Sequence, residues 1–429
     1  MAPTLNLEQD CSTVRSPACD LDAPATDAPR DLPTILLCWG YHRSSWIEPF
    51  ERLKDDFRFS YIFYRNREEE EQRLTADPVL YWQDYDNAHQ ILDAVRPKKI
   101  LFMSLTSGYP IALNLAAQSR GIPTYILQHG MFGFYEDERA SESRSTALRK
   151  TGRATNPSIT GTKSSSLGFL IRSMGLRDLT ALPWMSLFFL ILRRCGYFAA
   201  CKHVRFRQRL PTGYICFTER NGTIYRELDH AQPDQIHVIG IPEYDRFFRS
   251  PSSPHEPADE APYYLLIDQP LAENSWGTPT VSREDMIRFY EKLIAYCKSQ
   301  NARLKVKLHP ESYSCGWLPE DDKVEWIREA DVVSLIRGAK ACFGMFSTLV
   351  LPASVLKPLC LFDVKPSSMV TDLSQRGMAA VLDFFKFAPS DIHFHQIEHT
   401  GPNFPRFVED YFFSLDGGSA DRLAEVLRQ

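Results

Sequence analysis

The sequence predicts an α/β protein made of two halves, each with a parallel sheet. Three observations predict it. Short runs of buried-type residues recur along the chain, separated by segments of helix length, which is the pattern of βαβ units. A Pro/Ser-rich stretch from Arg249 to Pro262 interrupts the alternation, and such composition marks a linker. The alternation then resumes, and 429 residues suffice for two sizeable domains.

In chain order, residues 1–33 are rich in Ala, Pro, Asp and Thr and hold little to bury. They are expected to be a disordered tail. The first domain, 34–248, shows strand-like runs at 34–38, 59–63, 100–103, 124–127, 214–217 and 237–239. An insertion at about 137–210 separates the fourth run from the fifth. The segment Ile239 to Asp245 closes the domain: Gly240 allows a tight strand exit and Pro242 stops further pairing. Residues 249–262 are the expected linker, and 263–429 the second domain. Its strand-like runs are 263–267, 304–308, 341–344 and 358–362. Ser282 with Asp285 three residues on is a capping-box signature. Met286, Phe289, Tyr290, Leu293, Ile294 and Cys297 follow at helical spacing. Asp331–Ala339 and Ala420–Arg428 read as further helices, the last packing back on the body.

The composition narrows the class. Hydrophobic residues make up 44%, an ordinary globular content. A net charge of −5 gives no sign of a nucleic-acid-binding surface, and no basic stretch carries a recognition motif of that class. Ten scattered cysteines contain no CxxC or CxxH, so reduced cytoplasm is the expected compartment and no metal site is expected. The N-terminus has no basic region followed by an apolar one, so no signal peptide is expected. Leu187–Leu192 is followed by Arg193, Arg194, Lys202, Arg205, Arg207 and Arg209, with no acidic residue between Asp178 and Glu219. This is far short of the roughly 20 apolar residues that span a bilayer. Residues 187–209 are either a basic amphipathic contact with an anionic membrane or a buried helix with a solvated basic edge.

Three strand-end motifs stand out in the second domain: Asp268-Gln269-Pro270-Leu271, Lys307-Leu308-His309-Pro310-Glu311 and Phe346-Ser347-Thr348. Ligands of open α/β sheets bind beyond the carboxyl ends of strands, so all three would point into one cleft. Pro310 restricts the backbone of His309 to extended conformations, and a histidine titrates near neutrality. Alternation places Lys307 on the same strand face as His309, where it would add positive charge. Ser347 either caps a helix or, with Thr348, holds a phosphate at a helix start. Pro352 fits only early in that helix. Gln269 either reaches a ligand through its amide or forms the turn before Pro270. In the first domain, His129 ends a buried strand and precedes Gly130, which permits close approach to the backbone. It is either a catalytic base or a histidine satisfied by its loop. Glu136, Asp137 and Glu138 are alternative carboxylates or a solvated cluster. His42 and Ser107, after two other strands, are placed on the acceptor side.

This ordered set resembles the bacterial GT-B transferases that use cytidine-activated donors, the lipooligosaccharide sialyltransferases and capsule polysialyltransferases. Their Gln-Pro-Leu, His-Pro and Ser-Ser or Ser-Thr motifs are matched by Gln269-Pro270-Leu271, His309-Pro310 and Ser347-Thr348. Gln128-His129-Gly130 resembles the His-Gly motif of the CDP-glycerol polyol-phosphate transferases. The overlap spans roughly residues 95–385. The resemblance implies a GT-B fold, two Rossmann-like domains facing a central cleft. It implies that His309 assists departure of cytidine monophosphate, with Ser347 and Thr348 on its phosphate. It further implies an inverting, metal-independent and cofactor-free enzyme. That enzyme would move a sialic acid-like nonulosonate from a CMP-sugar donor to a cell-surface glycan or lipid-linked glycan acceptor. Its expected place is cytoplasmic, peripheral on the inner membrane face. The sialyltransferases usually use an aspartate base, and this departure leaves the base open. A CDP-polyol phosphotransferase and a non-catalytic nucleotide-sugar-binding protein are the alternatives.

Overall fold

The computed structural model describes residues 32–41, 43–63, 67–70, 73–130, 166–204, 206–249, 261–273, 281–364, 367–394 and 401–429. The expected tail, most of the expected linker, His42, Glu136, Asp137, Glu138 and Arg205 lie outside the described residues. The first sheet contains β1 (Thr34–Cys38), β2 (Arg58–Phe63), β3 (Val79–Tyr81), β4 (Lys99–Phe102), β5 (Thr124–Leu127), β6 (Gly213–Cys216) and β7 (Ile236–Val238). The second contains β8 (Tyr263–Ile267), β9 (Arg303–Lys307), β10 (Val324–Ile327), β11 (Cys342–Gly344), β12 (Leu359–Asp363) and β13 (Ala380–Asp383). Every strand pairing within each sheet is parallel.

The strand orders are β3-β2-β1-β4-β5-β6-β7 and β10-β9-β8-β11-β12-β13. Both begin 3-2-1-4-5-6, the Rossmann order, which reverses between its first and fourth strands. The crevice for a ligand therefore opens beyond β1 and β4 in one sheet and beyond β8 and β11 in the other. Every expected strand is present within one residue at either end. β3, β10 and β13 were not expected. All three are sheet edges with partly exposed residues.

Residues 33–429 form one compact unit, and the two lobes exchange parts. The helix Ser419–Arg428 lays Leu423, Ala424, Val426 and Leu427 into the first-lobe core with Ile35, Leu37 and Phe50. The buried ammonium of Lys99 donates to the Val426 carbonyl at 3.2 Å. Phe217, Ile241, Tyr244 and Phe247 in turn pack with Leu265, Ile336 and Val350 of the second lobe. The Asp245 carboxylate accepts the Ser419 and Ala420 N–H groups at 3.0 and 2.9 Å, capping the exchanged helix. Gly240 turns here with φ of +85°, and a Cβ would lie 2.5 Å from the Ser419 hydroxyl. Only glycine combines that conformation with that approach.

The helix Arg283–Ser299 starts as expected. Ser282 Oγ accepts the Asp285 N–H at 3.1 Å, and the six apolar residues named above are all buried. In the insertion some apolar residues are buried and others exposed. Helix Leu182–Cys195 buries Met185 and Phe188 but exposes Trp184, Leu187 and Leu190. Leu176, just before it, is 88% exposed. Arg193, Arg194, Lys202 and Arg207 are exposed, but Arg209 is not. It is buried, paired with the buried Asp229, and lies 4.8 Å over the Phe188 ring. Arg209 is therefore a core ion pair and no part of a basic surface. Burying it alone would leave a charge without water, so the carboxylate partner is what permits the placement.

Candidate active site

The three second-lobe motifs follow β8, β9 and β11, which are adjacent in the order β9-β8-β11. Side chains join them. Asp268, 4% exposed, accepts the Tyr290 hydroxyl at 2.9 Å, the Ser312 hydroxyl at 2.8 Å and the His309 main-chain N–H at 3.3 Å. Burial pushes its carboxyl up, and these hydrogen bonds oppose the shift. Gln269 Nε2 donates to the Phe346 carbonyl at 2.7 Å, tying the β8 loop to the β11 loop. Its Oε1 is buried without a hydrogen-bond partner among the described residues. A buried acceptor of this kind calls for a donor.

His309 has extended backbone, φ −70° and ψ 147°, as Pro310 requires. Its Nδ1 accepts the Glu311 N–H at 3.2 Å. In the neutral ring the proton is then on Nε2. Burial lowers the His309 pKa; Glu311 opposes this, while Arg43 and Lys307 add to it. Lys307 itself differs from the expectation. Its ammonium donates to the Arg328 carbonyl at 2.7 Å and the Leu308 carbonyl at 3.0 Å, and lies 3.4 Å from the Tyr313 hydroxyl. It is thus held toward the end of β10, and reaches His309 only through its field.

Ser347 is not the helix cap. Its hydroxyl accepts the Leu349 N–H at 3.4 Å, and the short helix Val350–Leu356 begins after Leu349, with Pro352 in its first turn. Thr348 is exposed. Its carbonyl accepts the Tyr244 hydroxyl of the first lobe at 2.6 Å, so the loop meets the opposite lobe.

On the first lobe, Gln128 is buried and holds the His129 turn. Its Oε1 accepts the Phe217 N–H at 2.9 Å, and its Nε2 donates to Asn221 Oδ1 at 3.1 Å and the Gly130 carbonyl at 3.2 Å. Gly130 has φ of +69°. The His129 ring stands edge-on to Trp39 and Trp46, with centroids 5.3 and 4.2 Å away. The Arg43 guanidinium lies 5.0 Å over Trp46. The positive charge of Arg43 also contributes to lowering the His309 pKa. Ser107 occupies the N-cap position of helix Gly108–Ser119, with no capping hydrogen bond from its side chain. Sequence reasoning missed Arg43, Trp46 and Glu243. Burial pushes the Glu243 carboxyl up to about 7; Arg246 and Arg43 oppose this and Glu48 adds to it. The clue to Arg43 and Trp46 was a basic, aromatic loop directly after β1. Glu243 had none beyond its place in the interlobe segment.

Two sheets in Rossmann order, facing a central cleft, with a C-terminal helix exchanged between lobes, are the GT-B fold. The fold is shared by the glycotransferase of kitacinnamycin, with TM-score 0.50, 13% identity, and 93% of this chain and 99% of that one covered. It is shared also by CalG4, the calicheamicin glycosyltransferase, with TM-score 0.50, 14% identity, and 93% and 98% covered. The wall teichoic acid polymerase TagF matches with TM-score 0.48, 11% identity, and 92% and 88% covered. The chain belongs to the alpha-2,8-polysialyltransferase family, whose model matches residues 67–359. Comparison with curated proteins gives no match.

Proposed function

We propose that this glycosyltransferase moves a sialic acid-like nonulosonate from a CMP-activated donor to a glycan acceptor, with inversion and without metal. One observation supports the reading above others. The Gln-Pro-Leu, His-Pro and Ser-Thr loops lie on adjacent strand ends at the switch point, locked together by Gln269 and Asp268, with His129 on the facing lobe. In the proposed step an acceptor hydroxyl attacks the anomeric carbon. His129 takes its proton, and the bond from that carbon to the phosphate oxygen breaks. His309 donates an Nε2–H hydrogen bond to the departing phosphate, and Ser347, Thr348 and Arg43 offset its charge. Fixed donors aimed at developing charge are the usual large contribution to such catalysis. Gln269 Oε1 accepts from the donor. The exposed Leu176, Trp184, Leu187 and Leu190 beside Arg193 and Arg194 support peripheral docking on an anionic membrane, at the cytoplasmic face.

The test is a thermal shift with CMP, CDP, UDP and GDP in EDTA, since a ligand that binds only the folded state raises its melting point. CMP should stabilise most. A uridine or guanosine preference overturns the CMP-sugar reading, and CDP well above CMP points to a polyol phosphotransferase. NMR of the product anomer tests inversion.

A further inference from the structure

A cavity of about 370 Å³ lies beside His129 in the first lobe. Its walls are Met103 and Leu105 after β4, Ile126 of β5, Phe198 of helix Tyr197–His203, and Ile224 and Leu228 of helix Glu219–Asp229. Its polar groups are few, and the rings of Tyr197 and Tyr225 complete the lining. Ser104 and Thr106, hydrogen-bonded to each other at 3.3 Å, stand with the His129 ring at one side. The volume is within the roughly 300–1,000 Å³ of ligand pockets, which are largely apolar with a few placed polar groups. It is more than twice the roughly 150 Å³ that admits benzene in an engineered apolar cavity. It also lies at the carboxyl ends of β4 and β5, on the side of the sheet where ligands of this fold class bind.

None of the donor-side groups line this space. Its only titratable neighbour with a proposed chemical role is His129, so an occupant of the cavity belongs to the acceptor. A free glycan would waste apolar walls of this extent, because sugar hydroxyls buried there would have few partners. The wall helix Tyr197–His203 follows directly, through Gly196, on helix Leu182–Cys195, whose outer face is apolar. We propose that the cavity holds the alkyl portion of a lipid-linked acceptor, so that the sugar hydroxyl next to that chain is presented to His129. This inference rests on the acceptor side assigned to His129 above.

The experiment is isothermal titration of the full chain, without donor, with octyl β-D-glucoside below its micelle concentration, against methyl β-D-glucoside. Each buried methylene contributes about fourfold in affinity. Octyl glucoside should bind one equivalent at least about tenfold more tightly than the methyl glycoside. Leu228→Trp, and independently Thr106→Trp in the half-buried loop, should abolish the difference by filling the space. The double change Trp184→Ser with Leu187→Ser should keep it. Absent binding of octyl glucoside overturns the proposal. So does binding that survives both filling changes but is lost with Trp184 and Leu187, which would assign it to the outer helix face. Because no nucleotide is present, octyl binding without CMP stabilisation sinks the donor reading and leaves the cavity, whereas the reverse result sinks only the cavity.

Discussion

Asp268→Ala removes the carboxylate that ties β8 to the His309 turn. Three donors lose their acceptor: the Tyr290 hydroxyl, the Ser312 hydroxyl and the His309 N–H. Tyr290 and Ser312 are buried and His309 is partly so. A buried donor left unsatisfied costs about 1–3 kcal/mol, so three of them near the low end give roughly 3–5 kcal/mol. That is a large share of an ordinary folding stability of about 5–15 kcal/mol. The turn that carries His309 also loses its anchor, and a displacement near 1 Å at a reacting group lowers turnover by about 10²-fold. Asp268→Asn keeps the shape and one oxygen acceptor, so roughly 1–2 kcal/mol is expected. The assays are urea unfolding followed by circular dichroism, turnover with a CMP-sugar, and CMP affinity by titration. We expect the alanine form to lose stability and turnover while CMP affinity stays within a few-fold. Wild-type midpoint and turnover in Asp268→Ala would refute the anchoring argument. A loss of CMP affinity in step with turnover would place Asp268 on the nucleotide instead.

His309→Ala should lower turnover about 10²–10⁴-fold with CMP affinity largely kept, whereas His129→Ala should stop transfer and spare slow donor hydrolysis; transfer at the wild-type rate in His129→Ala moves the base to Glu136, Asp137 or Glu138. Burial holds the His309 pKa below the ordinary 6.5, and a bound phosphate favours the charged ring. CMP should therefore bind more tightly as the pH falls toward that pKa. His309→Gln should lose this part of the pH dependence in calorimetric titrations, and identical profiles would count against a contact. Arg209→Met should leave the buried Asp229 without its cationic partner, destabilising by about 3–5 kcal/mol in urea unfolding without weakening sedimentation with anionic vesicles. Neutralising Arg193 and Arg194 should do the opposite, by about 1 kcal/mol of membrane affinity for each. Glu243, raised to about 7, stabilises the fold fully below its unfolded value, and this contribution is lost as pH rises through about 7. Glu243→Gln should thus be more stable than the parent at pH 8, on the order of 1 kcal/mol, and equal to it at pH 4; unfolding curves at the two pH values decide it.

The sequence made the central strands legible because both faces of such strands are covered and their residues read as continuous apolar runs. Tyr263–Ile267 and Ile35–Leu37 are of this kind. The edges were illegible for the converse reason. Val324-Glu325-Trp326-Ile327 and Ala380-Val381-Leu382-Asp383 are short and partly exposed, so they carry neither a long run nor a clear alternation. In the site, strand-end motifs located His309, Gln269 and Ser347 on adjacent strands. Side-chain direction was a different matter. Alternation could place Lys307 on a face, but the Arg328 carbonyl that holds its ammonium belongs to an unexpected strand end. Arg209 looked like its basic neighbours because its partner, Asp229, is twenty residues away and on another helix.

The exchanged helix bears on how this protein is made. The core around β1 includes Leu423 and Leu427, separated from β1 by almost the whole chain. Domains generally fold in order as the chain emerges at about 5–20 residues per second. Until that helix has been made, the part of this core that Leu423, Ala424, Val426 and Leu427 fill stays incomplete. An early folding intermediate of the first lobe is then a natural client for a chaperone. Expressing the lobes as separate polypeptides would leave that part of the core unfilled permanently.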